Sequence, residues 1–330
     1  MYRPRLPGTG EPAYSVPGPV LRASAAEWSD RIDPAHLREL VDALPGPRNR
    51  MHCPQAMART DAVLIDTWRA SGWRVGRQRV NWRGVAGMNV VAISAGATTE
   101  AIVVVAHHDT IRDSPGADDN GAGVAALLVL ANLLAGRRYR RTVILAAPDF
   151  EEVGLVGSRH LAHWLRGSYH VRGSIVFDPI GFMDPRPGSQ AVPPGIGALF
   201  PGQLARLEER RRAGDTVVSV YRRSSLQLVR TWATCLSATI GNERVLLLRD
   251  PLDLPLIGPA LLAVPAARHF SRSDHVNLWR AGMPAIHVTN TANFRNPNYH
   301  RPTDVPSTLD YDTLAAITAA TALVIEQLAD

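Results

Sequence analysis

The chain has 330 residues, 45% of them hydrophobic, enough for one large domain or a domain with a small appendage. Its net charge of +6 rests on arginine alone, since no lysine occurs; the arginines are scattered, with short clusters at 136–141 and 209–212 that lack interleaved aromatics, which argues against a nucleic-acid face. Two distant cysteines, Cys53 and Cys235, exclude a disulfide framework and a CxxC metal site, and no apolar run approaches the roughly 18 residues of a membrane span.

Residues 1–34 are expected to form an N-terminal extension, poorly ordered or draped over the surface, because five prolines fall in the first twenty positions. Nothing there reads as a secretory leader, so a cytoplasmic location is expected. Helical patterns follow at 34–44 and 55–71. From about residue 75 the text alternates. Strands are predicted at 89–94, 101–106, 142–147, 174–178, 244–248 and 284–288, and helices at 121–135, 155–166, 223–240 and 311–329. This alternation predicts an α/β domain over 35–330, with helices on both faces of a central mixed, mostly parallel sheet. Continuous apolar strands such as "AIVVVA" fit a sheet buried on both sides. The proline- and glycine-rich stretch 183–202 reads as a long loop near the catalytic edge.

Polar clusters gather where the strands end, which is where open α/β sheets place their sites. His107 and Asp109 follow the strand 101–106. Asp149, Glu151 and Glu152 follow 142–147, and Asp178 closes 174–178. Asp118 and Asp119 stand before the helix 121–135, and His300 lies in a late loop. A lone strand-end acid more often caps a helix. Two imidazoles with several carboxylates, and no cysteine among them, form the ligand palette of a catalytic zinc site. Glu151 and Glu152 would repel each other unless a cation compensates or one is protonated. Their bland alternative is an acidic first turn stabilised by the dipole of helix 155–166. On an extended strand residues i and i+2 share a side, so His107 and Asp109 point together while His108 points away, as a packing or pocket-wall residue.

The motifs "AHHDT", "PGADDNGAG", "FEEVGLVGS", "FDPIG", "SRSDH" and "NPNYHRPTD" resemble, in order, the motif set of the M28 family of zinc aminopeptidases, over about residues 85–330. The resemblance implies a zinc-peptidase-like three-layer α/β/α fold and two co-catalytic zinc ions. Asp119 would bridge them, with His107 and Asp178 on one ion and Glu152 and His300 on the other. Glu151 would be the general base, and Asp109 would orient His107. Asp118 is expected to stabilise its loop. Asp274, His275, Phe270 and Tyr299 would line the substrate pocket, the first two with helix capping as the alternative. Phe270 departs from the tyrosine that some family members place there to assist the oxyanion. The implied partner is a peptide or peptide-like substrate with a free N-terminus, with no nucleic acid or membrane; the oligomeric state is open. The rival readings are a one-zinc glutaminyl cyclase and a non-catalytic relative. No GxSxG elbow or Walker loop supports a serine hydrolase or a nucleotide site.

Overall fold

The computed structural model describes residues 10–44, 46–254, 258, 261 and 265–330. Three helices open the chain, α1 (Pro19–Asp30), α2 (Pro34–Ala43) and α3 (Pro54–Ala70), and each begins with proline, whose missing N–H would have had no intrahelical partner there. Helix α1 corrects the expectation of a draped extension. Its Ala25 and Trp28 are buried, and the Trp28 indole donates to Glu326 Oε2 at 2.9 Å. Residues 1–9 of that extension lie outside the described residues.

The remaining order is β1 (Arg74–Trp82), β2 (Val85–Ser94), β3 (Glu100–Val105), α4 (Gly123–Leu133), β4 (Thr142–Ala147), α5 (Val156–Ser168), β5 (His170–Phe177), α6 (Ile196–Leu199), α7 (Pro201–Glu209), β6 (Val217–Tyr221), α8 (Leu226–Ile240), β7 (Val245–Arg249), α9 (His275–Arg280), β8 (Ala285–Thr289) and α10 (Tyr311–Ala329). The stretch expected as a long loop at 183–202 contains α6 and a bridge between Asp184 and Gly214.

Among the described residues the strands form one sheet in the order β1-β2-β4-β3-β5-β8-β6-β7. The central four, β4-β3-β5-β8, run parallel; β2 and β6 flank them antiparallel. The sheet is therefore mixed with a parallel centre. Both faces are covered, which is why its central strands read as unbroken apolar runs. In β3, Ile102 and Val104 join the core under α3, α4, α8 and α10, while Val103 and Val105 join the core under α5, α7 and α9. Helix α10 has the length and hydropathy of a membrane span, but 72% of that window is buried against the sheet and neighbouring helices, as befits a core helix.

One glycine shows how tightly the site's scaffold is packed. A Cβ on Gly157, in the first turn of α5, would fall 2.1 Å from Asp149 O and 2.5 Å from Asn89 Oδ1. The main chain after β4 thus passes against the helix only because no side chain intervenes. Gly157→Ala is expected to destabilise the protein by about 1–3 kcal/mol, read as a lowered midpoint in denaturant.

Candidate metal centre and active site

From β3 the chain forms β4 on one side and then β5 on the other, so the strand order reverses at β3. Such a reversal opens a crevice beyond the strand C-termini. The turns after β3, β4 and β5 deliver His107, the Glu151–Glu152 pair and Asp178 to this crevice, and the segments before α4 and α10 add Asp119 and His300.

Asp119 lies at the centre. Its Oδ1 is 3.1 Å from His107 Nε2, and its Oδ2 is 3.0 Å from His300 Nε2. Asp178 Oδ1 approaches His107 Nε2 at 3.8 Å, and Glu152 Oε2 approaches His300 Nε2 at 3.3 Å. Two half-sites therefore share one carboxylate. Ligand atoms of His107, Asp119 and Glu152 lie within 4.8 Å of one another, as do those of His107, Glu151 and Asp178. Both imidazole Nε2 atoms and Glu152 Oε1 are buried without a hydrogen bond of good geometry. Nitrogen and carboxylate donors, converging with atoms left unpaired, fit zinc.

Charge is arranged accordingly. Burial works against the His107 imidazolium, yet Glu151, Asp119 and Asp178 hold its pKa well above the usual histidine range. His300 also rises against burial, to about 10, under Asp119 and Glu152. Burial pushes Glu152 up to about 7, with Asp119 repulsion adding to it. Glu151 goes well above the carboxylate range: burial dominates, His107 opposes, and Asp178, Asp274 and Glu152 reinforce it. Asp119 is lowered despite burial, because it faces both imidazoles. Protons on the two rings thus supply the positive charge that a metal would.

The surrounding residues hold the cluster's backbone. The Asp109 carboxylate accepts from Glu151 N at 3.1 Å and Glu152 N at 3.3 Å. His107 Nδ1 contacts the Asp109 carbonyl at 3.1 Å, with the carboxylate 3.7 Å away. Asp109 therefore orients the ring through its main chain, while its side chain fixes the glutamate pair. Asp118 staples its loop, as expected: Oδ1 accepts from Gly181 N and Phe182 N, and both oxygens take donors from Asn290, with Asn296 on Oδ2. Asp304, which drew no attention in the sequence although it ends the motif "NPNYHRPTD", accepts from Asp118 N and Asp119 N at 2.9 and 3.2 Å. The acidic-first-turn alternative for Glu151 and Glu152 fails, because α5 starts only at Val156 and has no acid in its first turn.

The pocket residues divide. Phe270 and Tyr299 line a mainly apolar cavity of about 150 Å³ that reaches Asp178 and extends over Val218, Val220 and Leu246. The Tyr299 ring stacks on His300 at 3.9 Å, and Arg272 Nη2 donates to its hydroxyl at 3.4 Å. Burial, with Asp119 and Asp178, pushes the phenol pKa far up, so it stays protonated. His275 is not a pocket wall. It is fully buried, stacks on His287 at 4.5 Å, and its Nε2 donates to Phe270 O. Asp274 stands at the N-cap of α9 without a capping hydrogen bond; it too is absent from the cavity lining, and burial pushes its carboxyl up to about 7.

His108 points away from the cluster, but into an ionic environment rather than apolar packing. Its Nδ1 meets Pro148 O at 2.8 Å and its Nε2 meets Asp61 Oδ1 at 3.1 Å. Both acceptors also have other donors, Arg50 Nη2 on Asp61 Oδ1 and the His108 main-chain N–H on Pro148 O, so what the ring adds is a link between the two.

The model of peptidase family M28 matches residues 89–201 and 260–325, which carry every member of the cluster. The chain belongs to this family. It is 30% identical over 271 residues to YfbL, an uncharacterized protein of Escherichia coli K12, across 78% of this chain and 76% of that one. It is 33% identical over 79 residues to the aminopeptidase YwaD of Bacillus subtilis, spanning 24% of this chain and only 17% of that relative. The LapA aminopeptidase of Legionella pneumophila shares the fold, with a TM-score of 0.67 and 18% identity over 98% of this chain and 78% of that structure. For an M28 peptidase so dependent on a buried acidic loop, Asp118→Ala should cost about 3–5 kcal/mol, measured by equilibrium unfolding, because it strands several buried donors at once.

Proposed function

We propose that this M28 peptidase is a two-zinc aminopeptidase that hydrolyses the N-terminal peptide or amide bond of a peptide-like substrate. The observation that carries this reading is the placement of Asp119, one oxygen toward His107 and the other toward His300. His107 and Asp178 would hold one ion, His300 and Glu152 the other, and Asp119 both. Bound there, zinc supplies Lewis acidity that polarises the scissile carbonyl and acidifies water.

Glu151 is the group suited to move the proton. It lies close enough to His107 and Asp178 to reach an ion, but Asp119 would complete three protein ligands on that side. Its raised pKa fits a carboxylate that takes a proton from the attacking water and returns it to the leaving amine. Asp109 keeps that carboxylate in place through the Glu151 N–H. The substrate's α-amino group would lie against the acidic cluster. The protonated Tyr299 hydroxyl and Arg272 offer donors at the cavity, on the side where Phe270 offers none.

Glu151→Gln should lower kcat on a panel of aminoacyl amides by about 10²–10⁴-fold while bound zinc stays at two per chain; activity near wild type would refute the assignment. A single zinc per chain, with pyroglutamate formed from glutaminyl peptides, would support cyclisation instead. Zinc loading should also release protons. At pH 7 the metal-free protein carries protons on His107 and His300, because their pKa values are raised, and ligation removes them. Calorimetric titrations in buffers of different ionisation heat should show about two or more protons released per chain, with zinc affinity falling as the pH is lowered.

A further inference from the structure

The family match begins at residue 89, yet the ligand-bearing turns are held from behind by a segment that precedes it. Arg48, only 1% exposed, spans the loop that joins His107 to Asp119. Its Nε donates to His108 O at 3.1 Å, Nη1 to Pro115 O at 2.8 Å and Nη2 to Gly116 O at 2.9 Å, so one side chain ties both ends of the loop. Its main chain adds a pairing with Thr110, whose N–H donates to Arg48 O at 2.7 Å.

Arg50 serves the other turn. Its Nη1 and Nη2 grip both oxygens of Asp61, on α3, at 2.7 and 2.8 Å, and its Nε donates to Asp149 Oδ2 at 2.6 Å. Asp149 is two residues before Glu151 and has no side-chain exposure. Asp61 in turn receives His108 Nε2, and the other nitrogen of that ring meets the carbonyl of Pro148, at the end of β4. The ends of β3 and β4, which carry the histidine of one half-site and the glutamate pair, are thereby joined through charged side chains contributed by residues 48–61.

We propose that Arg48, Arg50 and Asp61, together with His108, form a positioning clamp that sets the separation of the two zinc half-sites. Ion pairs removed from water contribute little stability beyond what apolar packing would give. What a two-pronged guanidinium–carboxylate contact supplies is a fixed distance and orientation. The groups that hold metal ligands from behind act in the same way on affinity. The proposal rests on the zinc reading given above, and none of the clamp residues is itself a zinc ligand.

The test uses the full chain with Arg50→Lys, which keeps the charge but loses the fork, and Asp61→Asn, which keeps the shape but loses the charge. Zinc affinity is measured by competition with a chromophoric chelator, kcat and KM with an aminoacyl amide at saturating zinc, and folding by circular dichroism and melting of the zinc-free protein. A positioning role predicts zinc affinity weakened by about 10–100-fold and kcat lowered at least about tenfold at full occupancy, with KM within about twofold of wild type. Melting shifts alone, with zinc affinity and kcat unchanged in the folded protein, would overturn the proposal and leave a purely structural network. If Arg50→Lys fails to fold, the near-isosteric Asp61→Asn decides between these outcomes. Failure of the wild-type protein to bind two zinc ions would instead refute the zinc reading, so the two failures are distinguishable.

Discussion

Carboxylates repel one another when taken out of water, and this fold gathers Asp119, Glu151, Glu152 and Asp178 into one buried crevice around two histidines. Each buried charge costs several kcal/mol unless it is compensated. Without a metal, the compensation comes from protons: on the rings of His107 and His300, and on Glu151, whose burial favours the neutral form. The shared oxygens of Asp119 make the two halves of the cluster inseparable, since moving that carboxylate toward one imidazole takes it from the other. The need for positive charge at two adjoining points is the constraint that the rest of the site serves.

The scaffold meets it with rigid geometry. The parallel strands β3, β4 and β5 aim their C-terminal ends at one crevice, and short turns hold the ligands there. Phe150, Leu155 and His300 adopt left-handed backbone conformations, with φ of 57°, 59° and 60°. Non-glycine residues persist in that region only where their surroundings over-determine them. Here the surroundings are visible: Asp109 holds the main chain of Glu151 and Glu152, and Tyr299 lies flat against the His300 ring. Asp304 and Asp118 do the same for the Asp119 loop, one through backbone N–H groups and the other through Asn290 and Asn296.

What could be read in the sequence and what could not follow from the range of the forces involved. The buried strands announce themselves by apolar runs because both faces of the sheet are covered, whereas β1, an edge strand with three exposed arginines and a half-exposed glutamine, carries no such run. Helix α1 was hidden by the prolines around it, although its buried Trp28 anchors it to α10. The cluster itself was legible, because histidines and acids at strand ends are chemically conspicuous. Its support was not. Arg48 and Thr110 are 62 residues apart, and Asp61 and His108 are 47 apart, so their partnership exists only once the chain is folded. The period-two argument placed His108 on the far side correctly, but nothing local revealed that an aspartate from α3 waits there.

The central claim is that Asp119 joins two metal sites with different histidines. Anomalous diffraction at the zinc edge, from crystals of the full chain grown with zinc, tests it most directly. The account predicts two peaks flanking the Asp119 carboxylate, one beside His107 and Asp178 and the other beside His300 and Glu152. A single peak at this cluster, or peaks elsewhere in the molecule, would contradict it.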